Sequence, residues 1–195
     1  MKRSIFAAVP ALLLTAGPAF AHPGFGPMTG LAAGFHHPIS GLDHVLAMTA
    51  VGILAAQMGG RALWLVPATF VTLMIAGGIA GVAGLGLPYV ELGIAGSVVV
   101  LGFVISLGRR LPLAAAMAMV GVMGMLHGHA HGTEMPADVG GLEFGMGFTL
   151  ATVLLHAIGI GLTLGAGKTM TRFAPLALRL GGGAIAAAGL VLLAS

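Results

Sequence analysis

Six stretches of about 20 mostly apolar residues follow one another from position 39 to 194, and a chain built this way must fold in lipid. They cover approximately 39–58, 62–83, 90–107, 111–130, 141–165 and 174–194. A helix rising 1.5 Å per residue crosses the roughly 30 Å hydrocarbon core in about 20 residues. Glycine and proline mark the joins, at Gly59-Gly60, Gly84 to Pro88, Gly108 before Pro112, and Pro136 through Gly141. A hydrophobic share of 58%, a mean hydropathy of +1.08 and only 7% charged residues exclude an ordinary soluble domain, where about 25% are charged. The expected fold class is all-α: a polytopic membrane protein with six transmembrane helices after a cleaved signal peptide.

The signal peptide is expected over residues 1–21, with a six-helix transmembrane domain over 22–195. Lys2 and Arg3 form a basic start, Ile5 to Thr15 an apolar stretch, and Ala19-Phe20-Ala21 a small-residue cleavage site. Cleavage after Ala21 makes His22 the first residue, whose amine and imidazole can chelate a cation together. The basic residues then set the orientation. Arg61, the Arg109-Arg110 pair, and Lys168 with Arg172 occupy alternate joins, while the other joins carry Glu91, Glu134, Asp138 and Glu143 without Lys or Arg. The positive-inside rule puts the first set in the cytoplasm. The expected location is the inner (cytoplasmic) membrane, multi-pass, with both mature termini periplasmic.

Function is written in histidine. Six of the eight histidines stand in two short segments, His36 to His44 and His127 to Glu134. An ionised group at the bilayer centre costs about 2.5–3.5 kcal/mol even on the lenient insertion scale, so polar groups there need a reason. Imidazole and carboxylate together suit a divalent first-row metal. On a first helix entering near Pro38, Asp43 and His44 lie roughly 8–9 Å deep. His127 lies about 6 Å below a fourth helix ending near His131, and the two histidines share a face at i,i+4. Asp43, His44, His127 and His131 are therefore expected to converge in the outer third of the membrane, with Glu134 at the mouth. His37 would stand about 10 Å from His44 along a continuous helix, and shares the ion only if Pro38 to Gly41 is not regular helix. Otherwise it serves an outer recruitment site with His36.

His156 stands alone in the fifth stretch, past the midplane. It is either a second stop on an inward path or a buried histidine bonded through Thr152 or Thr163. Glu143 reads as solvated. Met48, Met117, Met119, Met123 and Met125 read first as plastic packing, although thioethers favour softer ions. Gly77/Gly81, Gly124/Gly128, Gly128/Gly132 and Gly161/Gly165 read as close-packing pairs. Gly128 and Gly132 also flank His129, and would let the helix end open around a ligand. Gly165-Ala166-Gly167-Lys168-Thr169 imitates a P-loop, but Leu162 stands where glycine is required and a membrane helix where a strand is required. Cysteine is absent, which excludes disulfides and thiolate ligation. A net charge of +3 with no basic stripe gives no reason to expect nucleic acid.

His37-Pro38-Ile39-Ser40-Gly41-Leu42-Asp43-His44 resembles the HPxxGxDH signature of the HupE/UreJ family, membrane proteins linked to nickel and cobalt uptake for hydrogenase and urease. His127-Gly128-His129-Ala130-His131-Gly132-Thr133-Glu134 is similar to that family's second motif, HGxAHGxE. The resemblance covers the whole mature chain and implies His37, Asp43, His44, His127, His131 and Glu134 as metal-handling positions. His129 falls at a variable place in the pattern. The reading that follows is a secondary transporter or facilitated-diffusion permease for Ni²⁺ or Co²⁺, not an enzyme and with no prosthetic group. The donors also admit Zn²⁺ or copper. Its expected partners are the metal ion and the bilayer; a homo-oligomer is left open. The competing readings are an intramembrane zinc-dependent hydrolase, which needs a water-activating group and a substrate cleft, and an accessory protein that delivers metal.

Overall fold

A computed structural model describes residues 30–135 and 140–194. The expected signal peptide, His22 and Asp138 lie outside the described residues. Seven helices are present among those described: α1 (Gly30–Ser40), α2 (Leu42–Met58), α3 (Ala62–Val82), α4 (Val90–Leu107), α5 (Leu113–Thr133), α6 (Gly141–Thr169) and α7 (Ala174–Ala194). Five of them, α3 to α7, are each long and apolar enough to cross a bilayer. The bent pair α1–α2 makes a sixth crossing if it counts as one span. Lipid leaves outward apolar side chains unpenalised, and Trp64, Ile79, Phe103, Leu162 and Val191 are all exposed.

The first crossing corrects the expectation of a straight helix entering at Pro38. Helix α1 starts at Gly30, carries Pro38 inside it, and meets α2 at an angle of 83°. Gly41 is the break, with extended backbone at φ −95° and ψ 124°. At its other end α2 stops on Gly59 and Gly60, whose φ values of +69° and +53° are readily adopted only by glycine.

Small residues set which helices touch, because lipid provides no hydrophobic drive between helices and backbone approach does the work. Helices α3 and α5 form the closest pair. A methyl at Gly77 or Gly81 would overlap the Met125 or His129 carbonyl, and one at Gly124, Gly128 or Gly132 would overlap the carbonyls of Phe70, Met74 and Gly78. Three of the expected packing pairs thus interlock on two helices. The fourth, Gly161/Gly165, faces open space. Helix α5 stays regular to Thr133, so Gly128 and Gly132 serve the α3 contact and do not open the helix end.

Helix α6, 29 residues or roughly 43 Å long, backs both halves of the broken span. Gly34 of α1 and Gly147 of α6 meet the Phe144 and Leu31 carbonyls; Gly52 of α2 and Gly159 of α6 meet those of His156 and Thr49. Charge separates by end. Arg61 and Arg110 line one hollow of about 290 Å³, and Arg179 donates to the Leu107 carbonyl at that same end. The Gly165–Thr169 segment is helical, with the Thr169 hydroxyl donating back to the Gly165 carbonyl, so it offers no phosphate cradle.

Candidate metal centre

The bend at Gly41 builds one half of the site. With the chain turned, Asp43 and His44 fold back beneath it, and a Cβ on residue 41 would lie 2.6 Å from Asp43 Oδ1 and 2.9 Å from His44 Nδ1. Asp43 Oδ1 accepts two hydrogen bonds, from the His44 backbone N–H at 2.8 Å and from its Nδ1–H at 2.6 Å. A carboxylate in that place keeps the proton on Nδ1 and leaves the Nε2 lone pair facing inward. The bend also brings His37 toward the other histidines. Its ring lies 4.4 Å from that of His131 and 6.3 Å from that of His44, measured between centroids.

Helix α5 builds the other half by periodicity alone. His127 and His131, one turn apart, both point toward α2 and are buried. His131 Nε2 faces His44 Nε2 at 2.5 Å, while its Nδ1 lies 3.9 Å from Glu134 Oε2. His127 Nδ1–H donates to the Met123 carbonyl at 2.8 Å, so its lone pair is on Nε2, which is buried and without a hydrogen-bond partner among the described residues. The His127 and His44 ring centroids are 5.2 Å apart.

Two adjacent donor groups result, with His131 common to both. His37, His131 and Glu134 can place one ligand atom each within 4.8 Å of one another. Below them, His44 and His131 face each other, with His127 next in line. Phe144 and Phe148 wall the site, with ring centroids 5.8 Å from His37 and 4.6 Å from His131 respectively. Neither was foreseen, since a phenylalanine in an apolar helix carries no sequence signal. Glu91, in the first turn of α4, was used only to orient the chain, yet it lies within electrostatic reach of Glu134, Asp43 and His44. An acidic residue heading an apolar helix at this depth was the available signal.

The remaining histidines fall elsewhere. His36 is exposed, and its carbonyl accepts from the Ser40 hydroxyl at 2.8 Å. His129 turns to the opposite face of α5 and donates from Nε2 to the Leu85 carbonyl in the α3–α4 join. His156 is buried, and the expected bonding through Thr152 or Thr163 is not made: those hydroxyls donate to the Phe148 and Gly159 carbonyls, both at 2.9 Å. A groove of about 960 Å³ between α3 and α6 reaches His131. A cleft of the kind a hydrolase needs is thus present, although nothing in the sequence signalled it, but no acidic residue lines it.

Sequence comparisons point the same way. Residues 10–192 match the family described as HupE / UreJ protein. Over 193 residues the chain is 42% identical to Protein HupE of Rhizobium leguminosarum bv. viciae, covering 99% of both chains. No solved structure gives a significant match. A family match over nearly the whole length, together with a full-length relative, means that this multi-pass membrane protein belongs to the HupE/UreJ family.

Proposed function

We propose that the protein is a secondary transporter or facilitated-diffusion permease that carries Ni²⁺ or Co²⁺ from the periplasm to the cytoplasm. The observation that carries this reading is the position of His131, whose Nδ1 faces Glu134 and whose Nε2 faces His44; with one lone pair on a neutral imidazole, the ring serves one side at a time. An ion held at the mouth can exchange ligands one at a time and move inward without being fully released. Histidine and carboxylate donors hold a divalent ion less tightly than a closed thiolate cage, and conduction needs sites that let go. Asp43 acts by orienting His44. The choice of nickel or cobalt rests on the family resemblance, because the donors alone would hold copper or zinc as well.

The orientation that fits is the basic end in the cytoplasm and the histidine end in the periplasm, with residues 1–21 removed and both mature termini outside. His22 would then be free to add its amine and imidazole at the mouth. The hydrolase reading gains a cleft from the groove beside His131, but no carboxylate lines that groove to activate a water. A delivery protein would bind metal without moving it. Proteoliposomes holding the purified protein and given radiolabelled Ni²⁺ separate these readings. Saturable accumulation is expected, falling to the protein-free background in His44→Ala and His131→Ala at equal insertion. Wild-type vesicles that bind but do not accumulate the ion, or full uptake in both variants, would overturn the proposal.

A further inference from the structure

Beneath the histidine cluster, within the apolar core, lies a second group of donors, one of which is left without a partner. His156 is 2% exposed, and neither of its ring nitrogens has a hydrogen-bond partner among the described residues. Leaving a buried polar group unpaired is costly, and an imidazole offers two such groups. One turn earlier on the same face of α6, the Thr152 hydroxyl lies 3.4 Å from the Met48 sulfur and 3.6 Å from the Met74 sulfur. A hydroxyl has one proton, and its nearest acceptor is the Phe148 carbonyl at 2.9 Å. That one proton cannot serve the carbonyl and both sulfurs fully, so thioether lone pairs remain available beside the hydroxyl. Three helices supply this group: α2 through Met48, α3 through Met74, and α6 through Thr152 and His156.

The group continues the line of the outer site. The Phe70 ring contacts both His127 and His156, with centroid distances of 5.6 and 5.2 Å. His127 Nε2, the last donor of the outer line, is likewise buried and unpartnered. His156 lies roughly 22 Å along α6 from Gly141, well below the mouth. We propose that Met48, Met74, Thr152 and His156 form an inner station that binds the transported divalent cation after it leaves His127. The proposal rests on the outer cluster being the point of ion entry. Its donors are all neutral and two are thioethers, so the station favours borderline or soft ions over Mg²⁺ and Ca²⁺. Without a carboxylate it binds more weakly than the mouth, as a stop on the way to release should.

The test is the number and kind of bound ions in full-length protein in detergent, loaded with Ni²⁺ or Co²⁺. Equilibrium dialysis of the wild type is expected to give two ions, and X-ray absorption of the Co²⁺ form a sulfur shell. Met48→Leu/Met74→Leu, which keeps side-chain volume, should lose the weaker ion and the sulfur shell while keeping the tighter one. His156→Leu should also lose the weaker ion. Removing only an outer partner of a metal ligand already lowers affinity by about 10–100-fold, so loss of a ligand should weaken the inner ion at least that far. His131→Ala should do the opposite, losing the tighter ion and keeping the sulfur shell. A wild type with one ion, no sulfur shell, and loss only in His131→Ala would overturn the station and leave the outer site standing. One ion lost only in His156→Leu would overturn the outer site instead, and no bound ion at all would overturn both.

Discussion

At Gly41 the first motif turns through 83°, whereas the second motif runs from His127 to His131 on unbroken helix. Both end at the same point, with His44 Nε2 facing His131 Nε2. The second motif needs only the pitch of the α-helix, which puts residues four apart on one face. The first brings His37 and His44 to a common partner by leaving the helix, and it needs a residue without Cβ at the turn. Their glycines therefore do different work. Gly41 makes room for side chains of the site, while Gly128 and Gly132 make room for the backbone of α3.

The largest expected effect separates those two roles. Gly41→Ala puts a methyl against the Asp43–His44 pair, whose short side chains are tied to each other. Uptake of Ni²⁺ should fall to near background while the protein still inserts and runs as a folded monodisperse species. Gly128→Ala should instead reduce the amount of folded protein, since its methyl would overlap the Met74 backbone and overpacking costs about 1–3 kcal/mol or more. Size-exclusion profiles alongside uptake decide the matter, and a well-folded but inactive Gly128→Ala would undo the distinction.

A smaller effect is expected where the first motif uses a carboxylate to hold an imidazole. Asp43→Asn keeps the shape but no longer favours the proton on His44 Nδ1, so the Ni²⁺ concentration for half-maximal uptake should rise by about 10–100-fold. Unchanged half-saturation would mean that Asp43 does not orient His44. The smallest effects belong to residues that look chemical in sequence but face away. His129→Gln should lower uptake only slightly, through the α5 contact with Leu85, and Lys168→Ala should leave it unchanged. Loss of uptake in Lys168→Ala, with nucleotide binding that depends on Lys168, would reopen the P-loop reading.

Helix number and type were legible because about 20 apolar residues have few alternatives in lipid, and the ends of α3 to α5 and α7 lie within a few residues of the expected ones. Pairing of Gly77/Gly81 with Gly124/Gly128/Gly132 was only half legible. The spacing marked faces able to pack closely, but which helices met was decided in three dimensions, and Gly161/Gly165 carries the same spacing with nothing against it. The fate of His37 depended on one torsion pair at Gly41. Helical spacing cannot report a bend, and glycine permits a bend without requiring it.

What the sequence by itself determined is the medium, the helix count within the bent pair's ambiguity, the separation of basic and acidic ends, and the two motifs with their histidines and carboxylates. Each follows from local composition or from fixed helical pitch. Tertiary structure alone decided that α1 bends by 83° from α2, that His131 lies between His44 and Glu134, and that Met48, Met74 and Thr152 meet from three helices. The physical reason is that these placements depend on how closely backbones approach and at what angle. That is set by contacts between residues as much as 104 positions apart, such as Thr152 and Met48, and no local pattern records it.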